Sequence, residues 1–264
     1  ANVTWYAEPV NDVPTLKELI AKDSEEGLTY RYTGEAVVSY VDSSAATKTY
    51  YLQDATAGLM VKDADGVLTH TYQTGDKLTS FIGTLASSFY MVSLTPSAFA
   101  DSLGTCLSHN QTIEPAEVTL AQLKDQAKDY VNRLVVVKHV TISSSADTFA
   151  EGMVQPELSD GTEVKGKLRI FKGTSLIGTA IPTTPVYVTG LSTSAAAVIV
   201  APRGKDDIMV EELEEPSLTV TPVKTAMFAG VVGKTLPMDT IHVSARSLPE
   251  DATIELTGTG KKMF

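Results

Sequence analysis

The sequence predicts a mainly β protein: two tandem five-stranded barrels, each with a short helix, followed by part of a β-sandwich. Three landmarks recur in the same order with slowly drifting spacing. Thr15-Leu16-Lys17-Glu18-Leu19 returns as Thr119-Leu120-Ala121-Gln122-Leu123, Leu52-Gln53-Asp54 as Leu158-Ser159-Asp160, and Gly83 as Gly190. Loop insertions do this to a duplicated module. Within each copy the pattern passes from one helical stretch to short, period-two, β-branched runs separated by turn residues. The expected divisions are residues 1–14 as a lead, 15–112 and 113–215 as the two copies, and 216–264 as the partial sandwich.

Each copy opens on a helix. Thr15 with Glu18, and Thr119 with Gln122, have the spacing of a capping box, in which hydroxyl and side-chain carbonyl satisfy reciprocal backbone N–H groups. Leu16, Leu19 and Ile20 share a helical face, as do Leu120, Leu123 and Ala127. The first strand of copy one is predicted over residues 30–41, bent at Gly34 so that it serves both sides of a small barrel. Its counterpart is the β-branched run 134–142. Further strands are predicted at 47–53, 58–62, 77–85 and 89–94, and at 154–158, 165–171, 186–191 and 197–200. Five short strands per copy suit closure, because a closed sheet leaves no edges.

These residues carry a resemblance. Tyr32-Thr33-Gly34-Glu35-Ala36-Val37-Val38, then Tyr50-Tyr51-Leu52-Gln53-Asp54-Ala55-Thr56-Ala57-Gly58, then Gly83-Thr84-Leu85, resemble the tandem OB-fold modules of Bacteroidetes cell-surface lipoproteins. The match is good over 15–100 and weaker over 119–210, where Glu157-Leu158-Ser159-Asp160-Gly161 departs from it. The resemblance implies OB-fold-like domains, a cell-surface location at a bacterial outer membrane, and a lipid anchor upstream. The chain opens without Met, as a trimmed product would. After the acidic linker 211–216, the segment 217–264 resembles the opening half of immunoglobulin-like modules; a whole sandwich of that kind takes about 100 residues.

Charge narrows the partners. The 32 acidic against 21 basic residues give −11, a field that opposes phosphate backbones. Lys165, Lys167, Arg169 and Lys172 form the densest basic group, and their alternation reads as one solvated strand face. No apolar run reaches the ~18 residues of a membrane span. Cys106 is the sole cysteine, which excludes an intrachain disulfide and a Cys-built metal cluster. His70, His109, His139 and His242 lack the paired spacing of metal ligands. Asp63-Ala64-Asp65-Gly66 lacks the later acidic ligands of a calcium loop and reads as a hairpin turn. Asp54 and Asp160 read as turn residues. Cys106 and His109 are near enough for a thiolate and its base, but a buried or merely exposed cysteine in a domain-end loop is the preferred reading. No catalytic residues, metal or cofactor are expected.

The remaining candidates are aromatic. Tyr32, Tyr40, Tyr50, Tyr51 and Tyr90 gather in the first copy, where ring faces on a sheet could stack a sugar or a base. Filling of the barrel competes for the same rings. Tyr50 and Tyr51 adjoin in one strand, so they must face opposite ways. The expected function is a non-catalytic cell-surface binding or spacer module, its partner a glycan or another surface protein. Single-stranded nucleic-acid binding and an accessory role in a secreted hydrolase or nuclease are the alternatives.

Overall fold

The computed structural model describes residues 10–23, 27–45, 48–68, 70–88, 91–97, 103–151 and 156–211, and the strands 217–221 and 242–246. The chain divides into two units, Ala1–Glu211 and Glu212–Phe264. The first unit is mainly β and contains a closed five-stranded barrel.

That barrel is preceded by β1 (Val10–Val13), helix α1 (Leu16–Ile20) and β2 (Thr29–Tyr32). Its strands are β3 (Ala36–Asp42), β4 (Thr49–Gln53), β5 (Gly58–Lys62), β6 (Lys77–Ser88) and β7 (Met91–Pro96). Antiparallel β3–β4–β5 continues through a parallel β5–β7 pair, and antiparallel β7–β6 and β6–β3 pairs close the ring. The predicted bent strand is broken rather than continuous. β2 and β3 both lie along β6, and residues 33–35 interrupt them. Gly34 is required there because a Cβ would sit 2.3 Å from the Pro14 carbonyl oxygen. β8 (Leu103–Ser108) adds to β6 on the outside, so Cys106 lies in a strand and not in a domain-end loop.

The second half repeats the scheme. β9 (Ala116–Glu117) and helices α2 (Leu120–Asp125) and α3 (Ala127–Tyr130) precede β10 (Leu134–Ser143), β11 (Glu157–Ser159), β12 (Lys165–Leu168), β13 (Val186–Ser192) and β14 (Ile199–Ala201). The pairs β10–β11, β11–β12, β12–β14, β14–β13 and β13–β10 follow the same senses and again return to their start. β15 (Ile208–Val210) joins β13 as β8 joins β6, and β9 runs parallel to β10 as β1 does to β2. The flanking strands β1, β8, β9 and β15 escaped the sequence reading.

The registers test the duplication. Leu52 and Leu158 both occupy the second ring strand and are fully buried. Gly83 and Gly190 both occupy the fourth. A Cβ on Gly83 would meet the Thr95 carbonyl oxygen at 2.2 Å, and one on Gly190 the Ala201 carbonyl oxygen at 2.6 Å. Thr95 and Ala201 lie on the fifth ring strands, so the same close backbone approach selects glycine twice. The first strands bend differently. β10 runs unbroken, with a register shift between Val137 and Val140 and His139 at φ 54°, where the first half uses Gly34.

Each ring fills with its own side chains. Tyr30, Tyr32, Tyr50, Leu52, Leu59, Phe81 and Leu94 are buried in the first, beneath Leu16 and Leu19 of α1. Val135, Val137, Leu158, Leu168, Val188 and Val200 fill the second, beneath Leu120 and Leu123 of α2. Thr119 and Gln122 complete a capping box. At α1 the device is half made: Thr15 Oγ1 accepts the Glu18 N–H, but the Glu18 carboxylate takes the Thr15 hydroxyl rather than its N–H.

In the second unit, β16 (Ser217–Thr221) and β17 (His242–Arg246) form an antiparallel pair. Residues 222–241 and 247–264, the rest of the segment expected to form a partial sandwich, lie outside the described residues.

Candidate functional site

Among the described residues, Tyr32, Tyr50 and Tyr51 are buried rather than set out on an open platform. Tyr32 and Tyr50 point into the first barrel, at 1% and 2% exposure. Tyr32 stacks on Phe81 at 4.7 Å and donates its hydroxyl to Asp54 Oδ2 at 3.1 Å. Burial, reinforced by the Asp54 charge and that hydrogen bond, pushes the Tyr32 phenol far above its ordinary range. Tyr50 packs edge-on against Tyr72. Tyr51 faces the opposite way from Tyr50, as adjacency requires, yet it is also buried. Tyr90 lies outside the described residues.

Tyr51 is buried because the second barrel covers it. Tyr51 and Met60, a cross-strand pair on β4 and β5, pack with Tyr40 against Leu134, Phe171, Leu191 and Ala201. Tyr40 stacks on Phe171 at 4.9 Å and 26°, and Tyr51 lies 6.0 Å from the same ring. Burial raises the Tyr40 and Tyr51 phenols to about 12, with the Asp42 charge adding to both. Polar ties reinforce this seam. Gln53 Oε1 accepts the buried Leu134 N–H at 2.8 Å, and Arg203 Nη1 donates to the Ser39 carbonyl at 3.3 Å. Arg203 is itself held by Asp207 through Nε and Nη2, at 2.9 and 2.8 Å. Gly58 lies so near Asn132 that a Cβ would stand 2.4 Å from its carbonyl group.

The matching positions of the second barrel are of another kind. The cross-strand pair equivalent to Tyr51 and Met60 is Glu157 and Lys167. Gln53 and Gly58 correspond to Ser159 and Lys165, whose side chains hydrogen-bond each other. Glu157, Lys165 and Lys167 are exposed, the two lysines as their alternation in sequence predicts.

The two duplicated aspartates have turn and capping roles. Asp54 Oδ2 accepts the Leu16 N–H at the start of α1 at 2.8 Å, while Oδ1 accepts from Thr56 and Ala57. Asp160 does the same for Leu120 and Thr162. Burial works to raise both carboxyls, but the bonds to the charged form win and hold both below the ordinary carboxylate range. Asp63 accepts the Val67 and Leu68 N–H groups, which agrees with a turn.

Cys106 and His109 do come together, and with them Asp76, which the sequence reading missed. Cys106 Sγ lies 3.7 Å from His109 Nδ1, and Asp76 Oδ1 lies 2.7 Å from the same nitrogen. A nucleophilic triad needs the nucleophile on one ring nitrogen and the carboxylate on the other. Here both address Nδ1. Burial and the Asp76 charge also push the Cys106 thiol up, away from the reactive thiolate. Of the remaining histidines, His139 pairs with Glu211 at 2.8 Å.

Among the described residues, no helix is long and apolar enough to cross a membrane. Comparison with protein-family models found no match to the chain, and comparison with curated proteins found none either.

Proposed function

We propose that the first unit is a non-catalytic spacer in a bacterial cell envelope, built from two OB-type barrels joined by a fixed seam. The ring order of both halves, with third and fifth strands parallel, supports the OB reading. The resemblance of residues 15–100 to surface-lipoprotein modules supports the location.

The observation that carries the spacer role is the seam. OB barrels meet their ligands largely on the face of the second and third strands. In the first barrel that face is spent on Phe171, Leu134, Leu191 and Ala201. In the second it presents Glu157, Lys165 and Lys167, with no ring to stack a sugar or base. The net charge of −11 further opposes nucleic acid. A fixed seam is what a spacer requires and what a flexible tandem binder lacks.

Spin labels at the exposed positions Asp65 and Glu163, introduced as cysteines in a Cys106→Ser background, test it directly. One narrow distance distribution is expected, alongside blank glycan-array and single-stranded DNA shift assays. A broad distribution, or glycan binding by either barrel, would sink the spacer role.

A further inference from the structure

We propose that Asp76, Cys106 and His109 form a mixed-ligand site for a borderline-soft divalent cation, zinc foremost, on the outer edge of the first barrel. The inference is separate from the spacer reading and stands on the geometry of the turn that leads into β6, of β8 and of the loop after β8.

One ligand atom from each of Asp76, Cys106 and His109 lies within 4.8 Å of the other two, with His109 Nδ1 3.7 Å from Cys106 Sγ and 2.7 Å from Asp76 Oδ1. Two ligands at about 2.3 Å (sulfur) and about 2.05 Å (nitrogen) in a tetrahedral shell stand about 3.6 Å apart. The Sγ–Nδ1 separation of 3.7 Å matches that spacing. The oxygen has to retreat by about 0.6 Å from its 2.7 Å contact to reach tetrahedral spacing. The donor set itself, one thiol, one imidazole and one carboxylate, is a zinc set with the fourth position left to solvent.

One ring nitrogen offers one in-plane direction, for a proton or a lone pair. It cannot satisfy a carboxylate and a thiol together, and the thiol turns instead to the Ser108 carbonyl at 3.5 Å. A cation on that lone pair would serve all three groups at once.

The backbone holds the donors in place before any ion arrives. Asp76 is 5% exposed, and its other oxygen accepts the Gln73 N–H at 2.8 Å, which leaves Oδ1 aimed at the site. On β8 the register against β6 slips between Lys77 and Leu78, so Leu107 is an extra residue between the paired Cys106 and Ser108. Asn110, at φ 57°, then turns the chain so that Gln111 N–H reaches the Gly75 carbonyl at 2.8 Å, which lays His109 over Asp76. The exposed imidazole opens the fourth position to water.

Titration of the full chain with Co²⁺ under reducing conditions reads thiolate ligation directly. One ion per chain is expected, with a thiolate-to-cobalt charge-transfer band and tetrahedral ligand-field bands that Zn²⁺ abolishes. Cys106→Ser should remove the charge-transfer band. Asp76→Asn and His109→Ala should each weaken Zn²⁺ affinity at least tenfold, with folding checked by circular dichroism. Because the His109 side chain is 71% exposed, His109→Ala keeps the fold even if the aspartate variant does not. Absence of the charge-transfer band in the parent chain under excess Co²⁺ would overturn the site, as would Zn²⁺ binding that neither Cys106→Ser nor His109→Ala alters.

Discussion

Gln53 of the first barrel accepts the backbone N–H of Leu134 in the second, at 2.8 Å and out of reach of water. The bond satisfies the amide that opens β10, which otherwise would be buried without a partner.

Gln53→Ala is therefore expected to cost about 1–3 kcal/mol, the penalty for orphaning a buried donor. Ser159→Ala, at the matching place in the second barrel, should stay within about 0.5 kcal/mol because its surroundings are solvated. Urea unfolding of the two variants against the parent checks the contrast; equal costs would mean that the hydrogen bond does not hold the seam.

Phe171 is the ring on which both Tyr40 and Tyr51 rest. Phe171→Ala should destabilise the first unit by about 3 kcal/mol, the lower end for a buried phenylalanine. A double-mutant cycle with Tyr40→Ala should return a coupling of about 0.5–1.5 kcal/mol for the stacked pair. A coupling near zero would show that the rings meet without stabilising the seam.

Acid should weaken both helix caps. The Asp54 and Asp160 carboxyls titrate below their unfolded value, so the unfolded chain takes up protons first as pH falls. Their contribution is complete above the ordinary aspartate pKa, about 3.9, and is lost as pH drops through the folded values. Urea midpoints measured from about pH 5 downward should fall, and less steeply in Asp54→Asn. Asp54→Asn should lose more at neutral pH than Asp160→Asn, because Asp54 also holds the Tyr32 hydroxyl and the shorter amide bond. An unchanged acid slope in Asp54→Asn would assign the loss to other carboxylates.

The repeat was legible because its markers are local. Thr15 and Thr119 start helices, Leu52 and Leu158 alternate inward, and Gly83 and Gly190 answer the same backbone approach. The tyrosines misled because period two says only that Tyr50 and Tyr51 face opposite ways. What covers the outer face comes from Phe171, far along the chain. A signal existed: residues 50–53 and 58–61 are apolar or amide on both parities, whereas Glu157, Lys165 and Lys167 alternate with buried neighbours. Asp76 was missed because a turn and a slipped register, not sequence spacing, bring it to Cys106 and His109. The strands β1, β9 and β15 have two to four residues, too few for a period to show.

The exchange of Tyr51 and Met60 for Glu157 and Lys167 decides how far such a duplication can run. A contact that joins unlike faces of like modules is head-to-tail, and repeated without limit it builds a filament. A third barrel would need to seat its own Phe171-like side on the second barrel's Glu157–Lys167 face, burying a lysine and a glutamate to do so. The second barrel thus carries a polar face there, as the capping units of solenoid arrays do. Glu157→Tyr combined with Lys167→Met would reopen the series and favour concentration-dependent polymers.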